Sequence, residues 1–396
     1  MSITVKIAST PKELDDVMWL RHEVYVIEDG KFGGKPLHGE RIVDHYDVIP
    51  EVVHLIAYDG DEPVATMRGN CDRGGGLPPE EHYDFSKWRT KIEQELLVSG
   101  ERKPVITSAG MLAVRKAWRS QRDVTRALYK IHISAMYSWK CTHQMVTVNY
   151  DTVSIYRRFG FTKLDEKQWV DEIGNYIVPM VANAEDSYKW AWHGFSVPSK
   201  ELFGESYQHL LLRSGEKVFR EGDEGDRAFI IDSGNIEISR IKPDGSKLVL
   251  SVLGRGDLFG ELALIDDKER SATAEALGDV ELISLDRDIF MRHTGMESSQ
   301  LRKVLSLFST RLRKTDELAM VLAFEKPDRR LDFALDTIRA GARPDSRKTG
   351  TMVASAGAEE LARIALVEEE KAQAYLQQLH DEGVIEIARH RIRFNK

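Results

Sequence analysis

Nine glycines divide residues 215–278 into short segments, at Gly215, Gly222, Gly225, Gly234, Gly245, Gly254, Gly256, Gly260 and Gly278. Short apolar stretches such as Ala228–Ile231 and Ile236–Ile238 lie between them. Glycine permits tight turns and short apolar runs pair as strands, so this spacing is typical of a small β-roll or jelly roll. The chain has 396 residues, enough for two or three domains, and the roll is predicted to be one of them.

One segment of this predicted roll has the chemistry of a phosphate site. The residues that form this candidate site are Gly260, Glu261, Leu262, Arg270 and Ser271. Free backbone N–H groups beside Gly260, the Ser271 hydroxyl and the Arg270 guanidinium suit an anionic phosphate. A carboxylate repels phosphate, so we expect Glu261 to accept hydrogen bonds from a hydroxyl such as that of a ribose. The alternative is a glycine-turned hairpin with a surface arginine.

The segment resembles the phosphate-binding cassette of cyclic-nucleotide-binding domains. The resemblance implies that Glu261 holds the ribose hydroxyl, that Arg270 holds the cyclic phosphate and that Ser271 adds a phosphate contact. A helical pattern from about Ser298 to Leu322 resembles the central helix of the catabolite activator protein family. There, Thr315 corresponds to the threonine that contacts adenine, which favours cyclic AMP as the ligand. Asp316 stands where that family supplies a hydroxyl from the partner subunit, so cyclic GMP stays an alternative.

The last 70 residues resemble the winged helix-turn-helix of the same family in layout. Two helices are predicted at Ala358–Ala365 and Glu368–Leu379, followed by a wing from Gly383–Ile385 and Ile392–Phe394. The second helix begins with three glutamates, which oppose the phosphate backbone of DNA, so DNA binding is not expected. The apolar stripe of the preceding long helix predicts a homodimer.

The first half of the chain alternates strand and helix patterns, as in an α+β or α/β acyltransferase layout. Its motifs resemble the GNAT superfamily of N-acyltransferases, and more narrowly autoinducer synthases and N-acyl amino acid synthases. The segments that carry this resemblance are Leu20–Tyr25, Asp44–Asp47, His54–Ala57, Val64–Arg68 and Tyr156–Phe161. The resemblance implies acyl transfer from a thioester of coenzyme A or acyl carrier protein to an amine.

The same resemblance implies which residues are catalytic. Asp44 and Asp47 match the family's acidic pair, and Arg21 and Arg68 are expected to be their partners or clamps for a substrate carboxylate. A structural salt-bridge set is the alternative for all four. Tyr156 corresponds to the tyrosine that protonates the leaving thiolate, with an aromatic core residue as its alternative. The family's synthases keep a glutamate and an arginine in the strand that reads Ser108–Val114 here, and neither is present.

A cationic segment follows that strand where many GNAT enzymes have a glycine-rich turn against coenzyme A. Its arginines include Arg119, Arg122 and Arg126, and the turn itself contains no glycine. We therefore expect this patch to receive phosphopantetheine or an acidic acyl carrier protein. A solvated helix start with scattered charges is the alternative.

The composition of the chain narrows the classes of protein to which it can belong. A hydrophobic content of 42% and a charged content of 30% are those of a soluble globular protein, and the net charge of -8 argues against an extended nucleic-acid surface. Only Cys71 and Cys141 are present, which fits a reducing compartment without disulfides. Cys141 and His143 lack the second ligand pair of a zinc site, so no metal is predicted. No apolar run is long enough to span a bilayer, and the protein is expected to be cytoplasmic.

The predicted fold class is multidomain α+β. We expect an acyltransferase-like domain at 1–185, a linker at 186–200, a cyclic-nucleotide-binding roll at 201–297, a dimerisation helix at 298–325 and a winged helix-turn-helix-like domain at 326–396. The predicted function is an N-acyltransferase regulated by cyclic nucleotide. The alternative is a nucleotide-responsive regulator of the catabolite activator type with a catalytically silent acyl-sensing domain. The acyl donor, the amine acceptor and the direction of regulation stay open.

Overall fold

A computed structural model describes residues 2–31, 38–99, 103–171, 174–191, 208–241, 247–288, 290–291, 298–345, 350–388 and 391–394. The chain forms two compact units, one built mainly from Ile3–Gly194 and the other mainly from His209–Lys396. Each unit has its own hydrophobic cores, as the sequence pattern predicts for a multidomain α+β protein.

The first unit is organised around a mixed β-sheet. Its strands are β1 (Ile3–Ile7), β2 (Val52–Asp59), β3 (Glu62–Cys71), β4 (Ile106–Val114), β5 (His143–Asn149), β6 (Thr162–Lys163), β7 (Gln168–Val170) and β8 (Asn175–Asn183). The order across the sheet is β1-β2-β3-β4-β5-β8-β6, and β7 pairs with β8. Every one of these pairs is antiparallel except β4 with β5, which is parallel.

Helices cover both faces of this sheet. They are α1 (Pro11–His22), α2 (Ser86–Ser99), α3 (Arg122–Ser138), α4 (Val153–Arg158) and α5 (Ala184–Ala191). Val17 of α1 packs with Ile56 of β2, whereas His132 of α3 lies against Gly69, which pairs with Val53 of β2. Successive strand residues point to opposite faces, so α1 and α3 lie on opposite sides of the sheet.

The second unit begins with the predicted β-roll. Its strands are β9 (Gln208–Leu212), β10 (Lys217–Phe219), β11 (Arg227–Ile241), β12 (Lys247–Leu253), β13 (Leu258–Phe259) and β14 (Thr273–Asp286). They pair in the antiparallel order β12-β11-β14-β9, with β10 beside β14 and β13 beside β11. The short helix α6 (Leu262–Asp266) connects β13 to β14. Ile231, Ile236, Phe259 and Leu282 lie in the buried core of the roll.

A helical region follows the roll and packs on it. It comprises α7 (Ser298–Phe324), α8 (Pro327–Ala340), α9 (Ala358–Ala365), α10 (Glu369–Asp381) and a small sheet of β15 (Arg343–Pro344), β16 (Met352–Ala354), β17 (Ile385–Ile387) and β18 (Ile392–Phe394), in the order β15-β16-β18-β17. Val252 and Leu277 of the roll share one core with Leu361 of α9. Gly278 has φ +83°, and a Cβ there would lie 1.6 Å from the carbonyl oxygen of Ser355, so this contact requires glycine.

Residues 186–191 of the predicted linker form the end of α5 rather than an extended segment. The reason is aromatic packing, because the Trp190 ring lies 4.6 Å from Phe159 and 5.8 Å from Tyr129, between ring centroids. Residues 192–200 lie outside the described part of the chain. Across the described helices, none has both the length and the apolar character needed to cross a bilayer.

Candidate functional sites

The predicted cassette residues come together where β13, α6 and β14 meet. Gly260 directly follows β13 and has φ +76°, a conformation that favours glycine. Glu261 precedes the first residue of α6 and is fully buried, and Arg270 is only 5% exposed. Gly260, which precedes Glu261, accepts a hydrogen bond from Arg270 through its carbonyl, so the two segments of the cassette lie side by side.

Arg270 is held by neutral groups. Its Nη2 donates to the carbonyl of Arg227 at 2.7 Å, and its Nη1 donates to the carbonyl of Gly260. The guanidinium also lies over the Phe219 ring, 4.2 Å from the centroid. Burial lowers the pKa of Arg270, against the effect of Asp226 and Glu261. Within the described residues the buried Nε of Arg270 has no hydrogen-bond partner, which leaves a charged donor for an anion.

Two glycines make room for this arginine. A Cβ on Gly260 would lie 2.8 Å from Arg270 Nη1, and a Cβ on Gly225 would lie 2.9 Å from Arg270 Cζ and 2.4 Å from the Ala263 Cβ. Substitution at either position would displace the guanidinium or the start of α6. Gly260 was predicted as a site residue, whereas Gly225 was recognised only as one of the spaced glycines of the roll.

The remaining predicted nucleotide residues are Leu262 and Ser271 in the cassette and Thr315 on α7. Ser271 is exposed just before β14, and the Leu262 side chain is 43% exposed at the first position of α6. Thr315 is half-buried on α7. Its neighbour Lys314 ties that helix to the loop before β13, with Nζ 2.6 and 2.9 Å from the two carboxylate oxygens of Asp257. An ion pair therefore connects the helix that carries Thr315 to the lead-in of the cassette.

In the first unit, the predicted acidic and basic residues form one buried ion network on the α1 face of the sheet. Arg21 Nη1 donates to both oxygens of Asp47, at 2.9 and 3.0 Å, and Arg68 Nη1 donates to Asp47 at 2.8 Å. Arg68 Nη1 also contacts Asp44 Oδ1 at 2.5 Å. Arg21 and Arg68 are fully buried, whereas the Asp44 side chain is partly exposed.

His54 completes the network in its neutral form. Arg21 Nη2 lies 3.3 Å from His54 Nδ1, and the backbone carbonyl of Asp47 lies 3.2 Å from Nε2. A guanidinium can only donate and a carbonyl can only accept, so Nδ1 accepts and Nε2 carries the proton. Burial and the nearby Arg21 charge lower the pKa of His54, which agrees with this assignment.

These contacts limit what Asp47 can do. Burial would raise the pKa of Asp47, but the charges of Arg21 and Arg68 outweigh it and lower the pKa. A carboxylate stabilised by two guanidinium groups is a weak base. The geometry thus favours the structural alternative for Arg21, Asp47 and Arg68, which join α1 to β3, and leaves Asp44 as the more accessible carboxylate.

The predicted carrier-binding arginines also have acidic partners. Arg119 Nη2 lies 2.7 Å from Asp29 and 3.4 Å from Glu28, and Arg126 lies 3.1 Å from Asp123. The side chain of Arg122 lies outside the described part of the structure. Glu28 and Asp29 end a π-helical turn, Glu23–Glu28, that continues from α1. Arg119 and Arg126 are therefore already neutralised within this unit.

Between β4 and β5 the sheet opens. These parallel strands pair only at Ile106 with His143 and at Thr107 with Gln144 along their described lengths. Farther along, the β3–β4 register shifts between the Thr66–Ala113 and Arg68–Gly110 pairs, and Met111 there has φ +50°. This is a β-bulge in a central strand, and residues 110–112 are partly exposed although strands lie on both sides.

Tyrosines lie near this opening. Tyr25 of the π-helical turn packs with Ala113 of β4, and the Tyr156 charge contributes to raising the pKa of Tyr25 after burial does. Burial raises the pKa of Tyr156 itself to about 12. Its ring packs edge-on against Phe161, 5.5 Å between centroids. Tyr156 is thus an aromatic packing residue whose hydroxyl keeps its proton at neutral pH. Ser108 is buried in β4 at the start of the open stretch.

Comparison with known proteins assigns both units. A cyclic nucleotide-binding domain model matches residues 210–293. The cyclic AMP receptor protein of Thermus thermophilus is 30% identical over 197 residues, which cover 50% of this chain and 88% of that protein. Over this half of its length, the chain belongs to the cyclic AMP receptor protein family. A CRP-like cAMP-activated global transcriptional regulator from Mycobacterium tuberculosis is 35% identical over 116 residues, 29% of this chain and 52% of that protein.

The N-terminal half matches the N-acyl amino acid synthase FeeM family model over residues 16–183. The solved structure of FeeM from uncultured soil microbes covers 46% of this chain and 91% of that chain, at 12% identity and a TM-score of 0.36, a likeness too weak to add to the family match. The protein therefore joins an N-acyl amino acid synthase domain to a cyclic nucleotide-binding domain of the cyclic AMP receptor protein family, as the two resemblances predicted.

Proposed function

We propose that this protein is an N-acyltransferase regulated by a cyclic nucleotide, transferring an acyl group from a thioester of acyl carrier protein or coenzyme A to an amine. The opening between β4 and β5, with its bulge at Met111, supports this proposal most directly. A bulge frees backbone N–H groups from the ladder, and such donors stabilise the oxyanion that forms when an amine attacks a thioester.

The flanking side chains supply the proton transfers of this reaction. Arg68, which pairs with Gly110 across the β3–β4 register, holds Asp44, and we assign Asp44 the removal of the proton from the attacking amine. Asp47 fixes Arg21 and Arg68 in place. With a pKa of about 12, Tyr156 keeps its proton at neutral pH and donates it to the sulfur as the carbon–sulfur bond breaks.

The sharpest test of this assignment is Tyr156→Phe, with Tyr176→Phe on β8 as an exposed control. Thiol release from acyl-coenzyme A and acyl carrier protein thioesters should fall by about 10²- to 10⁴-fold in Tyr156→Phe, with little change in KM. The control should match the wild type. Because the pKa of Tyr156 is about 12, wild-type turnover should show no alkaline loss from this group below about pH 10. Unchanged turnover in Tyr156→Phe would remove the acid role.

A silent acyl-sensing domain is the second candidate, and two features of the site favour it. Ser108 stands where the resembled synthases have a glutamate, and Asp47 is engaged by two arginines. A sensor of this kind would bind an acyl thioester with saturation and release no thiol. Calorimetry alongside the turnover assay separates the two functions, since only the enzyme consumes the thioester.

For the second unit we propose cyclic AMP as the ligand, held by Arg270 and Glu261, with Thr315 of α7 at the adenine. The relatives' names point to cyclic AMP, and Thr315 matches the adenine-contacting position of the resembled family. Competition between cyclic AMP and cyclic GMP at equilibrium tests the choice. Equal affinities would leave Thr315 without a selective role.

We further propose that this unit does not bind duplex DNA. Exposed Glu368 precedes α10, which begins with exposed Glu369 and Glu370, and Lys371 is paired with Asp328 at 2.9 Å. Non-specific affinity for DNA comes from cations that replace counterions, and a run of glutamates opposes it. A gel shift with random duplex at low salt should show no complex with or without cyclic AMP, whereas a complex that weakens steeply with added salt would contradict the proposal.

A further inference from the structure

Three metal-ligating side chains meet inside the β-roll, away from the cassette residues Glu261 and Arg270. They are His209 of β9, Asp232 of β11 and Glu281 of β14, each from a different strand. One donor atom from each lies within 4.8 Å of the others. All three residues are at least 97% buried, with exposed fractions of 3%, 1% and 1%.

The strand register explains why they meet. His209 pairs with Ile283 and Leu211 pairs with Glu281, so His209 and Glu281 are diagonal neighbours on one face of β9 and β14. β11 has an irregularity at Asp232, because Ile231 pairs with Leu282 and Ser233 with Glu281. A bulge redirects the side chain of its extra residue, and here it brings Asp232 into the group.

The local charge balance is unusual for a strand interior. Two carboxylates are buried side by side, and the cation seen near them, Arg255, lies 3.6 Å from Asp232. His209 Nδ1 lies 3.1 Å from Glu281 Oε1. Buried carboxylates require positive charge close by, and a metal ion bound by both would provide it. Two ligands of one tetrahedral ion with bonds of about 2.0–2.1 Å are roughly 3.3 Å apart, near the observed His209–Glu281 separation.

We propose that His209, Asp232 and Glu281 bind one divalent transition-metal ion of the zinc type. One imidazole and two carboxylates are a donor set used for Zn²⁺, whereas Mg²⁺ and Ca²⁺ prefer oxygen ligands alone. The ion would take the place of the His209–Glu281 hydrogen bond and would add positive charge to that of Arg255 beside Asp232. The three ligands come from β9, β11 and β14, so the ion would link these strands. A fourth position on the ion would be left for water.

The site is connected to the nucleotide cassette through β11. Ile231, which precedes Asp232, donates its backbone N–H to the Asp257 carbonyl at 3.1 Å and accepts from Gly256 at 2.8 Å. Asp257 leads into β13 and the cassette, and its side chain holds Lys314 of α7. An ion that fixes Asp232 would also restrain this loop.

The test is titration of metal-free, full-length protein with Zn²⁺, with Mg²⁺ as the comparison cation. We expect saturable binding of one Zn²⁺ per chain. His209→Gln and Glu281→Gln should each weaken binding by at least about tenfold. His380→Gln, at an exposed histidine of α10, should leave it unchanged.

Co²⁺ provides a readout that does not depend on the folding of any variant. The three proposed ligands contain no sulfur, so wild-type protein with one equivalent of Co²⁺ should show visible d–d absorption without a thiolate charge-transfer band. A thiolate band, no saturable Zn²⁺ binding, or an equal loss in His380→Gln would overturn the proposal and leave His209 and Glu281 as a buried hydrogen-bonded pair.

Discussion

At the residue scale, Arg270 illustrates what a short motif can predict. The spacing of Gly260, Glu261 and Arg270 was sufficient to place them at one site, because the two segments are separated only by α6 and a turn. Gly225 was not identified as a site residue, because it approaches Arg270 only in the folded roll. The three ligands of the proposed metal site could not be predicted from the sequence for the same reason, since they lie on strands far apart in the sequence.

The Arg270 assignment predicts a loss of nucleotide binding in Arg270→Leu. A charge-assisted hydrogen bond contributes about 1.5–3 kcal/mol, so losing two of them should weaken cyclic AMP binding by at least about a hundredfold. Calorimetry on the folded variant measures this directly. Arg240→Leu is the matched control, because Arg240 lies on β11 with an exposed side chain paired to Glu221. Wild-type affinity in Arg270→Leu would contradict the cassette assignment.

At the element scale, regular segments were predictable and their irregularities were not. Thr10–Pro11 is a typical helix start in sequence, and Thr10 forms a capping box with Glu13 at the start of α1. By contrast, the π-helical turn after α1 and the bulge at Met111 come from tertiary contacts. At α4, Thr152 holds the N-cap position without a side-chain hydrogen bond.

The long helix α7 predicts a homodimer. Its described part exposes Leu312 (64%), Met320 (60%) and Phe324 (77%), while Leu318 is buried. The exposed residues recur at helical spacing, and such a stripe is stable in water only if it is covered. The side chains of residues 301–308, the earlier part of the predicted stripe, lie outside the described residues.

Light scattering should give about twice the chain mass of 45.0 kDa for the wild type. The double variant Leu312→Glu, Met320→Glu should give the mass of one chain, because it places charges in the proposed seam. Arg329→Glu, at an exposed position of α8, should remain a dimer. A wild type that is monomeric at micromolar concentration would refute the seam.

At the scale of the whole molecule, the order of the two families along the chain was predictable because each has a local signature. The chemistry of the first unit was less predictable from the sequence. The resemblance to the acyltransferase family indicated Arg21, Arg68, Asp44 and Asp47 together as site residues. Only the structure separates the buried network around Asp47 from the partly exposed Asp44. In a sequence, charged residues that pair with each other in the fold cannot be distinguished from charged residues that bind a substrate.

The central claim is that nucleotide binding changes acyl transfer. The most direct measurement is thiol release from acyl-coenzyme A and acyl carrier protein thioesters, with and without cyclic AMP, in wild type and Arg270→Leu. Coupling between two sites typically amounts to about 1–3 kcal/mol, so we expect turnover or carrier affinity to change by roughly five- to a hundredfold in the wild type and not in Arg270→Leu. Turnover that ignores cyclic AMP in the wild type, or responds equally in Arg270→Leu, would contradict the account.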